Sequence, residues 1–356
     1  MIKTLKIGNL EIKIPIIQGG MGVGISLSGM AIAVANQGGV GVIASAGLGM
    51  LYRKEGADFL ENSIIGLKEE LRKAREKTRG VIGINVMVAM SNFADMVKTA
   101  ISEKADIIFS GGGLPLNLPS FLTNNSTTKL VPIVSSARAA KLICVKWKHD
   151  FDYLPDAIVV EGPKAGGHLG FKVNQITDEN YSLEHLIPEV VTVAKEFENI
   201  YNVKIPVIAA GGVYTGQNIS DFMDLGAAGV QMGTRFVTTT ECDASHEFKQ
   251  SYINSKSEDI QIIESPVGMP GRAIKNKFLD KVKMGYLVPI RCPFKCIKTC
   301  DISSSPYCII SALYSAFKGK FNSGYAFAGT NAYLAEKIIS VKQTFDDILK
   351  EYKNSK

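Results

Sequence analysis

Eight short apolar runs between residues 14 and 232 constrain this chain more than any other feature. They are Ile14–Gln18, Val40–Ala44, Val81–Asn85, Asp106–Phe109, Leu130–Val134, Ala157–Val160, Pro206–Ala210 and Gly229–Met232. Each is apolar almost throughout rather than alternating. Strands buried on both faces need that composition, so the runs predict a parallel sheet. Helical patterns separate them: Ser28–Gln37, Asp58–Lys77, Ser91–Glu103, Ala137–Lys148, Leu183–Glu198 and Thr215–Leu225, with a weaker one over Pro115–Asn125. The first ends at Gly38-Gly39, a helix-stop signal. The charged run Lys68–Lys77 reads as a solvated helix face with opposite charges four residues apart.

Eight strand–helix units predict an α/β fold, a (β/α)8 TIM barrel over residues 1–237. A doubly wound open sheet is the competitor. The barrel is preferred because glycines gather at the C-terminal end of nearly every run: Gln18-Gly-Gly-Met-Gly22, Ser110–Gly113, Gly162–Gly170, Gly211-Gly212 and Gly233. In a barrel those ends share one face.

Beyond Thr238 the pattern changes. Residues 238–330 read as a lid or insert, with helical patterns at Asp243–Asn254 and Ile309–Lys318. Within it, Arg272–Cys300 carries eight Lys/Arg against one acid, Asp280, most simply as solvated surface. Residues 331–356 read as a C-terminal helix over Ala332–Tyr352, capped by Thr330 or Asn331, that packs back on the barrel. The glycine-flanked aromatic segment Gly324–Tyr333 either docks that helix or closes over the site, with Tyr325 or Asn331 at the substrate.

The 356 residues carry a net charge of +6, which suits a small anionic or phosphate-bearing ligand. No nucleic-acid-binding motif occurs, so nucleic acid is not expected as a partner. No apolar stretch reaches the roughly 20 residues of a membrane helix, and the N-terminus lacks the apolar core of a signal peptide. A cytoplasmic protein without a membrane partner is expected, and a homodimer is compatible with such a chain. Six cysteines are too few for a disulfide scaffold of this length. Cys292, Cys296 and Cys300 are spaced by four, with Cys308 eight further on. On a helix such thiols would share a face and could hold zinc or an iron–sulfur cluster. The spacing is not a usual one, and Cys292-Pro293 opposes a regular helix, so plain reduced thiols and no metal are expected.

The chemistry gathers at the glycine-rich ends. Gly211, Gly212, Gly233 and Thr234 follow the seventh and eighth runs, where barrels commonly hold a phosphate on backbone N–H groups. Gln18-Gly19-Gly20-Met21 offers bare backbone to a planar ring. Asn85 closes an apolar run with a polar side chain, as a ligand contact or a helix cap. His168 lies in a glycine loop opened by Glu161 and can move a proton near neutral pH.

The ordered set Gln18-Gly-Gly-Met21, Gly83-Ile-Asn85-Val-Met87, Glu161-Gly-x-x-Ala-Gly-Gly-His168, Pro206–Gly212 and Val230–Phe236 resembles the nitronate monooxygenase (2-nitropropane dioxygenase) family. That family also includes flavin-dependent enoyl-ACP reductases and NADH:quinone reductases. The resemblance covers residues 1 to about 290. It implies non-covalently bound FMN and a small-molecule substrate, a nitronate or an enoyl thioester. Gln18, Gly19, Gly20, Met21, Asn85, Glu161, Gly167 and Gln231 would then surround the flavin. Gly211, Gly212, Gly233 and Thr234 would hold its phosphate. His168 matches the family's catalytic histidine, as a base toward a nitroalkane or as a partner positioning a nitronate. The activity implied is oxidation of alkyl nitronates by O2 to a carbonyl compound and nitrite. NAD(P)H-dependent reduction of an enoyl thioester or quinone is the alternative, and a flavoprotein with a metal centre at Cys292–Cys308 a second.

Overall fold

The computed structural model describes residues 2–286, 292 and 294–356. All eight runs form strands. They are β3 (Ile16–Gln18), β4 (Val40–Ala44), β5 (Val81–Met87), β6 (Ile107–Gly111), β7 (Lys129–Val134), β8 (Ile158–Glu161), β10 (Val207–Ala210) and β11 (Gly229–Met232). They close into one barrel in which every neighbouring pair is parallel, and β11 returns to β3 with Gln231 opposite Ile17. The open sheet is thereby excluded. Val42, Phe109, Val131, Val159 and Ile208 form an interior cluster from which water is excluded. Their partners on the other face of the strands, such as Ile43, Ile108 and Val160, pack under the helices. The near-continuous apolar character of the runs follows from this two-sided burial.

A hairpin outside the eight runs precedes the barrel: β1 (Leu5–Ile7) and β2 (Leu10–Ile12), antiparallel. Leu5, Ile7 and Ile12 join the interior cluster at 0–2% exposure, so the hairpin plugs the barrel at the N-terminal ends of its strands.

The helices lie close to the expected spans, with three corrections. Pro115–Asn125 holds only a single 3-10 turn, Leu118–Phe121. The expected helix Ala332–Tyr352 is a 3-10 turn, Ala332–Leu334, followed after a gap by the helix Val341–Asn354. Its cap is Ser340, whose Oγ accepts from Gln343 N–H at 3.1 Å, rather than Thr330 or Asn331. In the gap Ile339 bridges Thr239 instead of continuing a helix. The helix does pack back on the barrel, placing Phe345 against Phe236. Within Phe59–Lys77, Glu70 is not solvated: it is 3% exposed and accepts from Ser28 N–H at 2.6 Å and from the Tyr52 hydroxyl.

A second small sheet lies over the barrel mouth. After β8 the chain forms the two-residue strand β9 (Gly167–His168), and further on the antiparallel hairpin β12 (Ile260–Glu264) and β13 (Pro270–Ile274). β13 also pairs with β9, Gly271 opposite His168 and Arg272 opposite Gly167. The cysteine segment is not helical. Cys296 and Cys300 lie in irregular chain, and Cys308 precedes the helix Ile309–Phe317. Among the described residues no group of three or more His, Cys, Asp or Glu could hold a metal ion. No described helix is long and apolar enough to cross a membrane.

Candidate active site

A cavity of about 280 Å3 opens at the C-terminal ends of the barrel strands. Gly19, Gly20, Met21, Asn85 and Gln231 form one wall. At Gly20 a Cβ would stand 2.2 Å from that of Asn85, so only glycine lets the first loop lie against the asparagine. Ser26 braces this loop, its Oγ accepting from Met21 N–H at 2.8 Å. Asn85 therefore lies on the cavity and does not cap a helix. Gln18 does not reach the cavity. It is fully buried in the barrel wall, its Oε1 accepting from Val42 N–H at 3.1 Å and its Nε2 donating to the Gly19 carbonyl.

The opposite corner is made of bare amides. Gly211 and Gly212 take φ of +87° and +97°, where a side chain would be strained. Their N–H groups, and those of Gly233 and Thr234, donate to no acceptor among the described residues, and all four residues line the cavity. Unpaired N–H groups at a cavity wall are a seat for an anion. The segment after residue 328 covers this corner. Gly329 N–H donates to Thr234 Oγ1 at 3.1 Å, and Asn331 Nδ2 donates to the Gly212 carbonyl at 2.9 Å. Arg235 turns away, pairing with Glu351 at 3.3 Å and stacking on Tyr214.

The glycine loop of His168 is clamped from the lid. Besides the β9–β13 ladder, Arg272 Nη1 donates to the Ala165 carbonyl at 2.6 Å and to that of Pro163. Burial lowers the Arg272 guanidinium to about 10, so it stays charged at neutral pH. The basic stretch is thus not wholly solvated: its first member is an internal brace. Arg291 lies outside the described residues.

His168 lines the cavity. Its Nε2 lies 2.7 Å from Ser265 Oγ, and its ring meets Phe327 edge-on at 5.0 Å. Burial lowers its pKa to about 4, so the ring is neutral near pH 7. Glu161, at the end of β8, also lines the cavity, and its carboxyl has no hydrogen-bond partner among the described residues. Burial raises it to about 7. Gly167 sits beside them with φ of +79° and open space where a Cβ would stand.

Of the candidate residues, all but Gln18 meet around one cavity. The roles of Ser265 and Arg272 depend on pairing across about a hundred residues, which leaves no local pattern, and Phe327 reaches His168 from still further along the chain, within the segment Gly324–Tyr333. Ile297, Ile309, Ile310 and Leu313 from the lid add an apolar wall, with Cys296 beside them.

Residues 3–351 match the sequence profile of the family described as nitronate monooxygenase. A probable nitronate monooxygenase of Staphylococcus haemolyticus is 26% identical, over 77% of this chain and 79% of its own length. The (3aS,4S,5R,7aS)-5-hydroxy-7a-methyl-1-oxo-octahydro-1H-indene-4-carboxyl-CoA dehydrogenase of Mycobacterium tuberculosis is 25% identical, over 78% and 67%. Among solved structures, FabK from Thermotoga maritima superimposes with a TM-score of 0.74 at 27% identity, over 97% of this chain and 94% of that one. The nitroalkane oxidase of Streptomyces ansochromogenes, at 18% identity and a TM-score of 0.72, shares the fold. With the barrel, the bare-amide corner and the cavity histidine in place, the profile match over nearly the whole chain makes this protein a member of the nitronate monooxygenase family of oxidoreductases.

Proposed function

We propose that the cavity binds FMN and that the protein oxidises alkyl nitronates with O2, giving a carbonyl compound and nitrite. The observation that carries this is a neutral histidine facing the same cavity as four unpaired backbone amides. The residues present suit FMN. The amides of Gly211, Gly212, Gly233 and Thr234 would hold its phosphate. Gly19, Gly20, Met21, Asn85 and Gln231 would face its ring, and Glu161 and Gly167 would stand beside it. Gln18 would act only through Gly19. Bound FMN would supply the electron acceptor that the polypeptide lacks, with O2 as the final oxidant.

The chain's own part is recognition and orientation. A neutral imidazole can hydrogen-bond a nitronate oxygen without adding a charge to the cavity. With a pKa of about 4, His168 is a weak base toward the carbon of a neutral nitroalkane. The lid excludes water from that side through Phe327, Ile309, Ile310 and Leu313.

A second reading, NAD(P)H-dependent reduction of an enoyl thioester, is favoured by the apolar lid wall and by a relative whose name specifies a carboxyl-CoA substrate. Anaerobic mixing of the FMN-loaded protein with propionate 3-nitronate, NADH or NADPH separates the two. The nitronate alone is expected to bleach the flavin, and nitrite to appear when O2 is admitted. Bleaching only by NADH or NADPH would replace the first reading with the second.

A further inference from the structure

We propose that Ser265 is a positioning residue that fixes the tautomer of His168, so that the imidazole presents an N–H donor, from Nδ1, to the substrate. The proposal rests on the reading of His168 as the residue that faces the substrate.

Ser265 lies where β12 turns toward β13. Its N–H donates to the Met269 carbonyl at 3.2 Å, and its own carbonyl accepts from Gly268 N–H at 3.0 Å, so the turn closes around it. It is 7% exposed. Its Oγ accepts from Val267 N–H at 3.5 Å and stands 2.7 Å from His168 Nε2. No other acceptor among the described residues is within reach of the hydroxyl. A hydroxyl has one hydrogen to give, and here the only protein destination for it is the Nε2 lone pair. The opposite arrangement, with Nε2–H donating to Oγ, would strand that hydrogen in a buried turn.

A neutral imidazole carries a single N–H. With Nε2 accepting from Ser265, that N–H is at Nδ1, which has no partner among the described residues, on a ring that lines the cavity. The ring cannot easily turn over, because Phe327 packs against its edge and β13 holds its backbone. A substrate that reaches Nδ1 therefore meets a donor and no free lone pair.

That selects the substrate's chemistry. A nitronate has already lost its carbon-bound proton and offers an anionic oxygen as acceptor. A neutral nitroalkane would need a base for that proton, and the histidine's lone pair already accepts from Ser265. The site is accordingly built for preformed nitronates over nitroalkanes.

The test is ¹⁵N NMR of histidine-labelled, FMN-loaded protein at neutral pH. His168→Asn identifies the His168 signals among the four histidines. The expected spectrum has Nδ1 protonated and Nε2 unprotonated. In Ser265→Ala the tautomer ratio should move toward Nε2–H by about tenfold or more, because the fixed donor is gone. Ser265→Thr, which keeps the hydroxyl, should restore the original form. Nitronate turnover relative to nitroalkane turnover should fall with the tautomer in Ser265→Ala and recover in Ser265→Thr. An Nε2–H tautomer in the unmodified protein would overturn the proposal, as would a Ser265→Ala spectrum unchanged from it; both readings need no catalysis. If the tautomer is as expected but no nitronate is oxidised, the functional reading fails and the assignment of Ser265 stands.

Discussion

The two ends of the barrel are made by the same eight strands and have little else in common. At the N-terminal end the hairpin of β1 and β2 drives Leu5, Ile7 and Ile12 into an apolar interior. At the C-terminal end lie four backbone N–H groups without acceptors and a carboxyl without a partner among the described residues, and a histidine driven to neutrality. One end lowers the free energy of the fold and the other raises it. Unmet polar groups persist only where the rest of the structure holds them in place, so the plug and the site are complementary parts of one stability balance.

That contrast can be broken in three ways. The largest effect is expected at the plug. Ile7→Ala removes fully buried methyl groups and should destabilise the protein by about 2–5 kcal/mol in denaturant titration. FMN affinity and turnover per folded molecule should not change. An equal loss of flavin binding would mean that the two ends are coupled. Next comes the histidine: His168→Asn should cut nitronate turnover by about 10²–10³-fold, the scale for losing one hydrogen-bond donor at a reacting oxygen. FMN should stay bound and stability should move by less than about 1 kcal/mol. Loss of FMN instead would make His168 a structural residue.

The smallest effect should be a gain. The folded-state pKa of Glu161, about 7, lies above its ordinary value of 4.5. The folded state therefore binds its proton more tightly than the unfolded chain does. Stability falls as pH rises from about 4.5 to 7, and the full penalty is present above pH 7. Glu161→Gln should thus stabilise the flavin-free protein by about 1–3 kcal/mol at pH 8 and by little at pH 4. Thermal melts at the two pH values check it, and an equal effect at both would show that the carboxyl is not the cause.

The barrel was legible because its strands are buried on both faces and carry that fact in every residue. Glycine at the strand ends marked the mouth, and the positions of Gly211 and Gly212 in the left-handed region give the physical reason. The hairpin of β1 and β2 leaves little signal in the sequence because each strand has only three residues and exposes its central one, Lys6 or Glu11. β9 was invisible for a stronger reason. Two residues have no periodicity, and their partner Gly271 lies a hundred positions away. Glu336, Lys337 and Ile339 look helical in isolation, which makes the C-terminal helix read too long at its N-terminus, whereas Ile339 bridges to Thr239. Gln18 stands beside the ligand contacts in sequence, but its amide is engaged by Val42 and Gly19, partners no local pattern reveals.

His168 belongs to two structures at once, the loop after β8 and the sheet of the lid. Moving the β12–β13 hairpin off the barrel must either tear that ladder, which separates Ser265 from Nε2, or drag the histidine along with it. Opening and disarming are therefore a single motion. A gap at this edge wide enough to admit a new molecule is one in which the histidine has lost either Ser265 or its place at the cavity, so an open mouth and a histidine held at the cavity by Ser265 do not occur together.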